Sequence, residues 1–290
     1  MTYELYIGDY AYSSWSLRGW LLFHRFDIPV TTRLVDFNAG SVAEQLGHLA
    51  PARTVPALRL PEGAVIADSL AIAEELATRH PGAGFWPADP SSRATARALA
   101  AEMHSGFGAL REHCPMNLRT AYSDFPAPPE VLDDLARLEE IWSLARAGAG
   151  GEGPWLCGPY SVADVFFAPV AARIAGYGLP VSRHARDYVA AHLADPAFRR
   201  WRAMGLVRGD TLPWYARDCP QVPWPGPAPI PASAVGTGPS ENATCPYSGK
   251  PVSHFLEVQG RVFGFCNAFC RDKTAADPAA WPAFMEIYDS

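Results

Sequence analysis

The chain has 290 residues, 49% hydrophobic and 19% charged, with a net charge of -6; this is the composition of a globular protein too long for one average domain. No Lys/Arg block occurs, which excludes nucleic acid or an anionic membrane as the main partner and points to a small or neutral one. The opening MTYELYIGDYAYSS has no basic segment followed by an apolar one, and Pro169, Arg173 and Pro180 interrupt the longest apolar run, so a cytoplasmic chain without a membrane span is expected.

In chain order, YELYIG alternates and is rich in aromatic residues, predicting a strand, and SWSLRGWLLFHRF has helical spacing of Trp15, Leu22 and Phe26. TTRLVDF, TVPALRL and EGAVIAD predict three further strands, and SLAIAEELATRH a helix capped by Asp68 or Ser69 and stopped by Pro-Gly. The order is βαβ followed by ββα. From Ser91 onward four long helical patterns follow without strands: SSRATARALAAEMHSGFGALREH, PEVLDDLARLEEIWSLARAG, SVADVFFAPVAARIAGYG and HARDYVAAHLADPAFRRWRAMG. Ser161 and Asp164 form a capping box at a helix start, a structural role.

Eight prolines lie from Pro213 to Pro239, a run expected to form neither ladder nor helix and to act as an extended tether. Beyond it FLEVQGRVFGF predicts a hairpin, followed by a terminal helical pattern, in a unit whose core is too small to be stable alone. The expected domains are 1–82, α/β; 90–212, all-helical; 213–240, linker; and 241–290, a cysteine-based module.

Three features of the first eighty residues carry chemistry. In YSSWSLR, Ser13, Ser14 and Ser16 crowd the start of a helix, where hydroxyls and free backbone N–H groups suit an anion or thiolate, or serve simply as caps. In TVPAL, Pro56 opens a strand and leaves the Val55 backbone free to pair with an extended ligand. In ADSLAI, Asp68 and Ser69 begin a helix and offer groups for an amino-acid-like end of a ligand, or again a cap.

In this order, and followed by an all-helical domain, these segments resemble the glutathione S-transferase family. SSWSLRGWLLF is similar to its serine-type active-site motif, ARTVPAL to the segment with the cis-proline, and ADSLAI to its acidic-serine motif; AEMHSGFGALREHCPMNLR and SVADVFFAPVAARIAGYGLPV resemble a bacterial branch. The resemblance covers residues 1–215. It implies a thioredoxin-like domain plus an all-helical domain, a homodimer, and an enzyme that transfers the thiol of its cosubstrate glutathione to a small electrophile. Within that resemblance, Val55 and Pro56 would receive the cysteinyl part, Asp68 and Ser69 the γ-glutamyl end, and Arg53 the glycine carboxylate. Ser13 or Ser14 would donate to the sulfur, and Met103, His104, Phe107 and Arg111 would wall the second-substrate pocket. Zeta-type isomerases carry Ser-Ser-Cys where this chain has Ser-Ser-Trp15, which argues against an isomerase or a disulfide reductase, and no cysteine precedes Cys114.

Three of the six cysteines, Cys114, Cys157 and Cys219, are scattered; Cys245, Cys266 and Cys270 fall within 26 residues. If FCNAFC begins a helix, Cys266 and Cys270 lie one turn apart on one face, and Cys245 completes three thiolates for a soft ion such as zinc or copper(I). Ser248 stands where a zinc knuckle often has its second cysteine, so His254, then Asp272 or water, is the candidate fourth ligand. A disulfide or three inert cysteines are the alternatives. The pattern over residues 243–288 resembles TRASH/YHS-like metal-binding modules, which implies a small treble-clef-like fold organised by a metal. The expected whole is a glutathione transferase fold carrying a zinc module. The alternative is a non-catalytic glutathione-binding protein that handles or senses metal or docks a partner.

Overall fold

The computed structural model describes residues 2–151 and 153–290. Contacts divide the chain into two compact units, Met1–Leu193 with Leu212–Pro225, and Ala194–Thr211 with Gly226–Ser290.

The first unit opens with β1 (Tyr3–Ile7), α1 (Ser14–His24), β2 (Val30–Leu34), a short α2 (Val42–Gln45), β3 (Ala57–Arg59), β4 (Val65–Ala67) and α3 (Ser69–Arg79). The sheet order is β2-β1-β3-β4, with β1 and β2 parallel and the other pairs antiparallel. This is the expected βαβ-ββα thioredoxin-like arrangement. Leu17, Leu21, Leu22 and Phe23 of α1 and Leu5 and Ile7 of β1 are buried, each side chain contributing on the order of 1.5–3 kcal/mol by leaving water. The Val55–Pro56 peptide is cis, as the resemblance implies. α1 passes so close to Pro56 that a Cβ on Gly19 would lie 2.7 Å from its ring, so only glycine fits there.

The helical part comprises α4 (Pro90–Ser105), α5 (Gly108–His113), α6 (Pro129–Gly148), α7 (Val162–Gly176) and α8 (Arg183–Ala194), the last residue of α8 falling in the second unit. The single helix expected over α4 and α5 is broken at Phe107, whose φ of +58° cannot continue a right-handed helix. α7 is apolar and buried almost throughout, starting at the expected capping box: Asp164 Oδ2 accepts from the backbone N–H of Ser161 at 2.9 Å and from its hydroxyl at 3.2 Å. β5 (Ala121–Tyr122) pairs with β6 (Gln221–Val222), so part of the proline-rich run is laddered here. No helix among the described residues is long and apolar enough to cross a membrane.

The second unit holds α9 (Pro196–Val207), β7 (Ala232–Val235), β8 (His254–Val258), β9 (Arg261–Phe265), α10 (Ala268–Ala276) and α11 (Pro282–Tyr288). The sequence assigned α9 to a helical domain ending at 212; here it packs on α10. The extended tether expected over 213–240 is laddered in part, at Gln221–Val222 and Ala232–Val235. Residues 232–235 carry no proline and keep their N–H groups, so β7 forms the edge of an antiparallel sheet β7-β8-β9. The expected hairpin is β8–β9, turned by Gln259 and Gly260, both with positive φ. Leu256, Val258, Phe263, Phe265, Trp281 and Phe284 are buried. Asp277 receives Arg199 in two hydrogen bonds, 2.8 Å from Nε and 2.6 Å from Nη2.

Candidate functional site

At the start of α1 the three serines have different duties. Ser13 is the N-cap: its Oγ accepts from the Ser16 N–H at 3.3 Å and donates to Ser16 Oγ at 2.7 Å. Ser16, fully buried, also accepts from the Gly8 N–H at 2.9 Å, tying the helix start to the end of β1. Ser14, the first helical residue, accepts a hydrogen bond from Arg173 Nη2 at 3.2 Å. Its own O–H is left to donate.

Ser13 and Ser14 line a cavity of about 390 Å³ with Trp15, Arg53, Val55, Arg111, Arg173 and Tyr215, among others, and no acidic residue among the described residues lines it. Arg173 comes from the buried face of α7 and is held by the carbonyls of Cys114 at 2.9 Å and Pro169 at 3.2 Å. Burial, and then the neighbouring Arg111, pushes its pKa down to about 10, so it stays cationic at neutral pH. Arg111 donates to the carbonyls of Met103 and His104, and burial lowers its pKa against the opposing pull of Asp134. Two guanidinium groups lie over the Trp15 ring, Arg18 at 4.7 Å and Arg111 at 4.9 Å from its centre, a cation–π arrangement. Burial, then Arg111 and Arg173, holds Arg18 well below its usual pKa. The site is thus an electropositive cleft at a helix N-terminus, suited to a ligand with carboxylates and a thiolate.

Of the residues expected to bind the cosubstrate, Arg53 and Val55 lie on this cavity. The Val55 backbone makes no hydrogen bond within the described residues. Asp68 and Ser69 begin α3 and are not among the lining residues; Asp68 Oδ1 caps Leu70 and Ala71, and Oδ2 lies 3.2 Å from His104 Nε2. The Ser69 hydroxyl is buried without a hydrogen-bond partner among the described residues. These open groups and the excess of cations fit glutathione, an anion at neutral pH. Of the four expected wall residues only Arg111 lines the cavity; Met103 and Phe107 are core, and His104 meets the edge of Trp15 at 5.3 Å. Sequence reading missed Trp15, Tyr215 and above all Arg173 as site residues. The available signal for Arg173 was a lone cation inside the otherwise apolar VFFAPVAARIAG, a position that requires partners.

In the second unit Cys245, Cys266 and Cys270 offer sulfurs all within 4.8 Å of one another. Cys266 precedes α10, whose N-cap Asn267 accepts from the Cys270 N–H at 2.8 Å, so only Cys270 is helical. Cys245 begins a knuckle: the N–H groups of Ser248 and Gly249 both reach its carbonyl, at 3.3 and 2.9 Å. Ser248 Oγ and Asn267 Nδ2 each donate to Cys266 Sγ at 3.3 Å. Burial raises the Cys245 pKa, but hydrogen bonds from the backbones of Cys266 and Tyr247 and from the Ser248 hydroxyl outweigh it and bring the thiol down to about 7. His254, the expected fourth ligand, is not in this group; it opens β8 and its Nδ1 lies 3.0 Å from Ser253 Oγ. Asp272 is engaged by Arg271 at 2.7 Å. Three close thiols with donors turned toward them suit a soft metal ion.

Residues 12–79 match the family described as the glutathione S-transferase N-terminal domain. A Caenorhabditis elegans protein described as a probable maleylacetoacetate isomerase is 36% identical over 97 residues, 33% of this chain and 44% of that protein. The chain's match therefore spans less than half of that relative. Among solved structures, a glutathione transferase homologue from Burkholderia gl BGR1 with bound glutathione is 24% identical with a TM-score of 0.51, covering 69% of this chain and 96% of that one. Glutathione transferase Omega 1C from Trametes versicolor is 20% identical with a TM-score of 0.54, covering 69% and 90%. Ure2p in complex with glutathione is 17% identical with a TM-score of 0.53, covering 69% and 92%. At these identities the structures establish the fold, and the match over residues 12–79 supports the glutathione S-transferase family.

Proposed function

We propose that the first unit works as a glutathione transferase-like enzyme, presenting the thiolate of glutathione to a small electrophile, with Ser14 as the hydroxyl that holds the sulfur. The observation that carries this reading is the Arg173–Ser14 hydrogen bond at 3.2 Å on a cavity lined by three arginines. Because Ser14 Oγ accepts from Arg173, its proton is free for the sulfur, and the buried cation stabilises the thiolate through it. Ser13 is the weaker candidate because its proton already goes to Ser16. The Val55 backbone would pair with the cysteinyl part, Asp68 and Ser69 would take the γ-glutamyl end, and Arg53 the glycine carboxylate. The thiolate attacks an electrophilic carbon; the C–S bond forms as the displaced electron pair leaves with a leaving group or moves along an activated double bond.

The isomerase description of the Caenorhabditis elegans relative favours a second reading, in which the same addition is followed by elimination. Trp15 stands against it, since it replaces the cysteine of the zeta-type motif. The cysteine cluster is read as a zinc-type site in a treble-clef-like module, and the chain as a cytoplasmic homodimer.

Purified protein should be retained on immobilised glutathione and conjugate a generic aryl halide. Ser14→Ala should lower kcat/KM by about 10- to 100-fold, the loss of one hydrogen bond to a charged group, and Cys266→Ser should leave it unchanged. Retention without turnover on any electrophile would favour the non-catalytic, metal-handling or partner-docking alternative. Elemental analysis should find about one metal ion per chain, lost in Cys270→Ser.

A further inference from the structure

We propose that the Cys245–Cys266–Cys270 centre keeps an open fourth position beside Ser248, and that this position takes a small exogenous thiolate. The inference rests on the metal reading above and adds its coordination chemistry.

Zinc-type ions hold sulfur at about 2.3 Å and oxygen at about 2.0–2.2 Å, which places neighbouring tetrahedral ligands about 3.6–3.8 Å apart. The three sulfurs, within 4.8 Å of one another, need only a small contraction to meet that spacing. No fourth His, Cys, Asp or Glu joins the group among the described residues. Beside the three sulfurs stands the Ser248 hydroxyl, which donates to Cys266 Sγ at 3.3 Å. The knuckle holds it there through the two N–H bonds to the Cys245 carbonyl, with Gly249 at a φ of +67°. A neutral hydroxyl is a poor ligand for a soft, thiolate-rich ion, so an incoming thiolate displaces it.

Access and charge agree with this assignment. Ser248, Gly249, Lys250 and Asn267 are all exposed, so the corner faces solvent. The Lys273 ammonium is fixed over the rings of Tyr247 at 3.8 Å and Trp281 at 3.9 Å, one helical turn beyond Cys270. Three thiolates around a divalent ion leave a charge of about -1, and a fourth makes it about -2, which this nearby cation offsets in part. The unit also has its own core and the Arg199–Asp277 pair. Its fold therefore does not depend on a closed four-ligand centre.

The test uses the full chain, reduced and loaded with Co(II). Adding glutathione should raise the thiolate-to-cobalt charge-transfer absorbance saturably by about one third, the step from three thiolates to four. Ser248→Cys should show the higher absorbance from the start and no response; Ser248→Ala, which keeps the corner open, should respond fully. Bound cobalt with a spectrum insensitive to glutathione would overturn this inference while leaving the metal reading intact. Failure to bind cobalt or zinc at all would remove both.

Discussion

Ser13 and Ser14 are chemically identical neighbours, yet a step of one residue at a helix start turns the side chain by about 100°. Ser13 thereby faces Ser16 and caps the helix, and Ser14 faces Arg173. Replacing each by alanine should separate the two duties. Ser13→Ala removes an N-cap and should lower unfolding free energy by about 1 kcal/mol, read by denaturant titration, with the pH dependence of conjugation unchanged. Ser14→Ala should instead move the rise of kcat/KM with pH toward the alkaline side, because the bound thiol loses a donor that favours its thiolate. An unmoved pH profile in Ser14→Ala would assign the sulfur to another group. The motif narrowed the choice to these two serines. It could go no further because the deciding partner, Arg173, is 159 residues away, on a helix whose burial only tertiary packing reveals.

At the scale of elements, legibility followed the backbone. Strands β1 to β4 and the helices α1, α3, α6 and α7 are written in local periodicity and caps, so the sequence located them; the short β5 and β6 were not legible in this way. The break between α4 and α5 was not, because it depends on Phe107 adopting a positive φ, a conformation its side chain does not advertise. α8 carries a consequence for pH. His192 is buried against Trp155 at 5.1 Å and Tyr188 at 4.6 Å, and burial, then Arg25, lowers its pKa to about 3. Between about pH 6.5, where an unfolded histidine takes up its proton, and pH 3, the unfolded state binds a proton that the native state refuses. Stability must therefore fall as pH falls through this window, by at most about 4–5 kcal/mol from this group. Asp164 acts oppositely: burial raises its carboxyl to about 6 despite four hydrogen bonds, so its contribution is lost as pH rises from about 4 to 6. Thermal unfolding of His192→Phe should show a flattened acid limb; a limb as steep as the parent's would place the acid sensitivity elsewhere.

At the scale of the whole molecule, the cysteine module is larger than its own stretch of sequence. Fifty residues with three cysteines suggested a fold that only a metal could stabilise. The second unit instead recruits α9 from upstream and β7 from the proline-rich run, and locks α9 to the segment after α10 through the bidentate Arg199–Asp277 pair. Neither recruitment is legible locally: α9 continues a helical pattern, and Ala232–Val235 lies among prolines. Its cost can be measured. The side chains of Arg199 and Asp277 are only 16% and 11% exposed, so Asp277→Ala strands a buried cation and should destabilise the second unit by about 3–5 kcal/mol. Deleting residues 226–290, although it removes no expected part of the transferase-like fold, strips α9 of its packing against α10. Such an exposed apolar helix promotes association. The truncated chain should therefore run as aggregates on size exclusion. A monodisperse 1–225 chain with unchanged conjugation activity would instead mean that α9 belongs with the first unit, as its helical pattern in the sequence suggested.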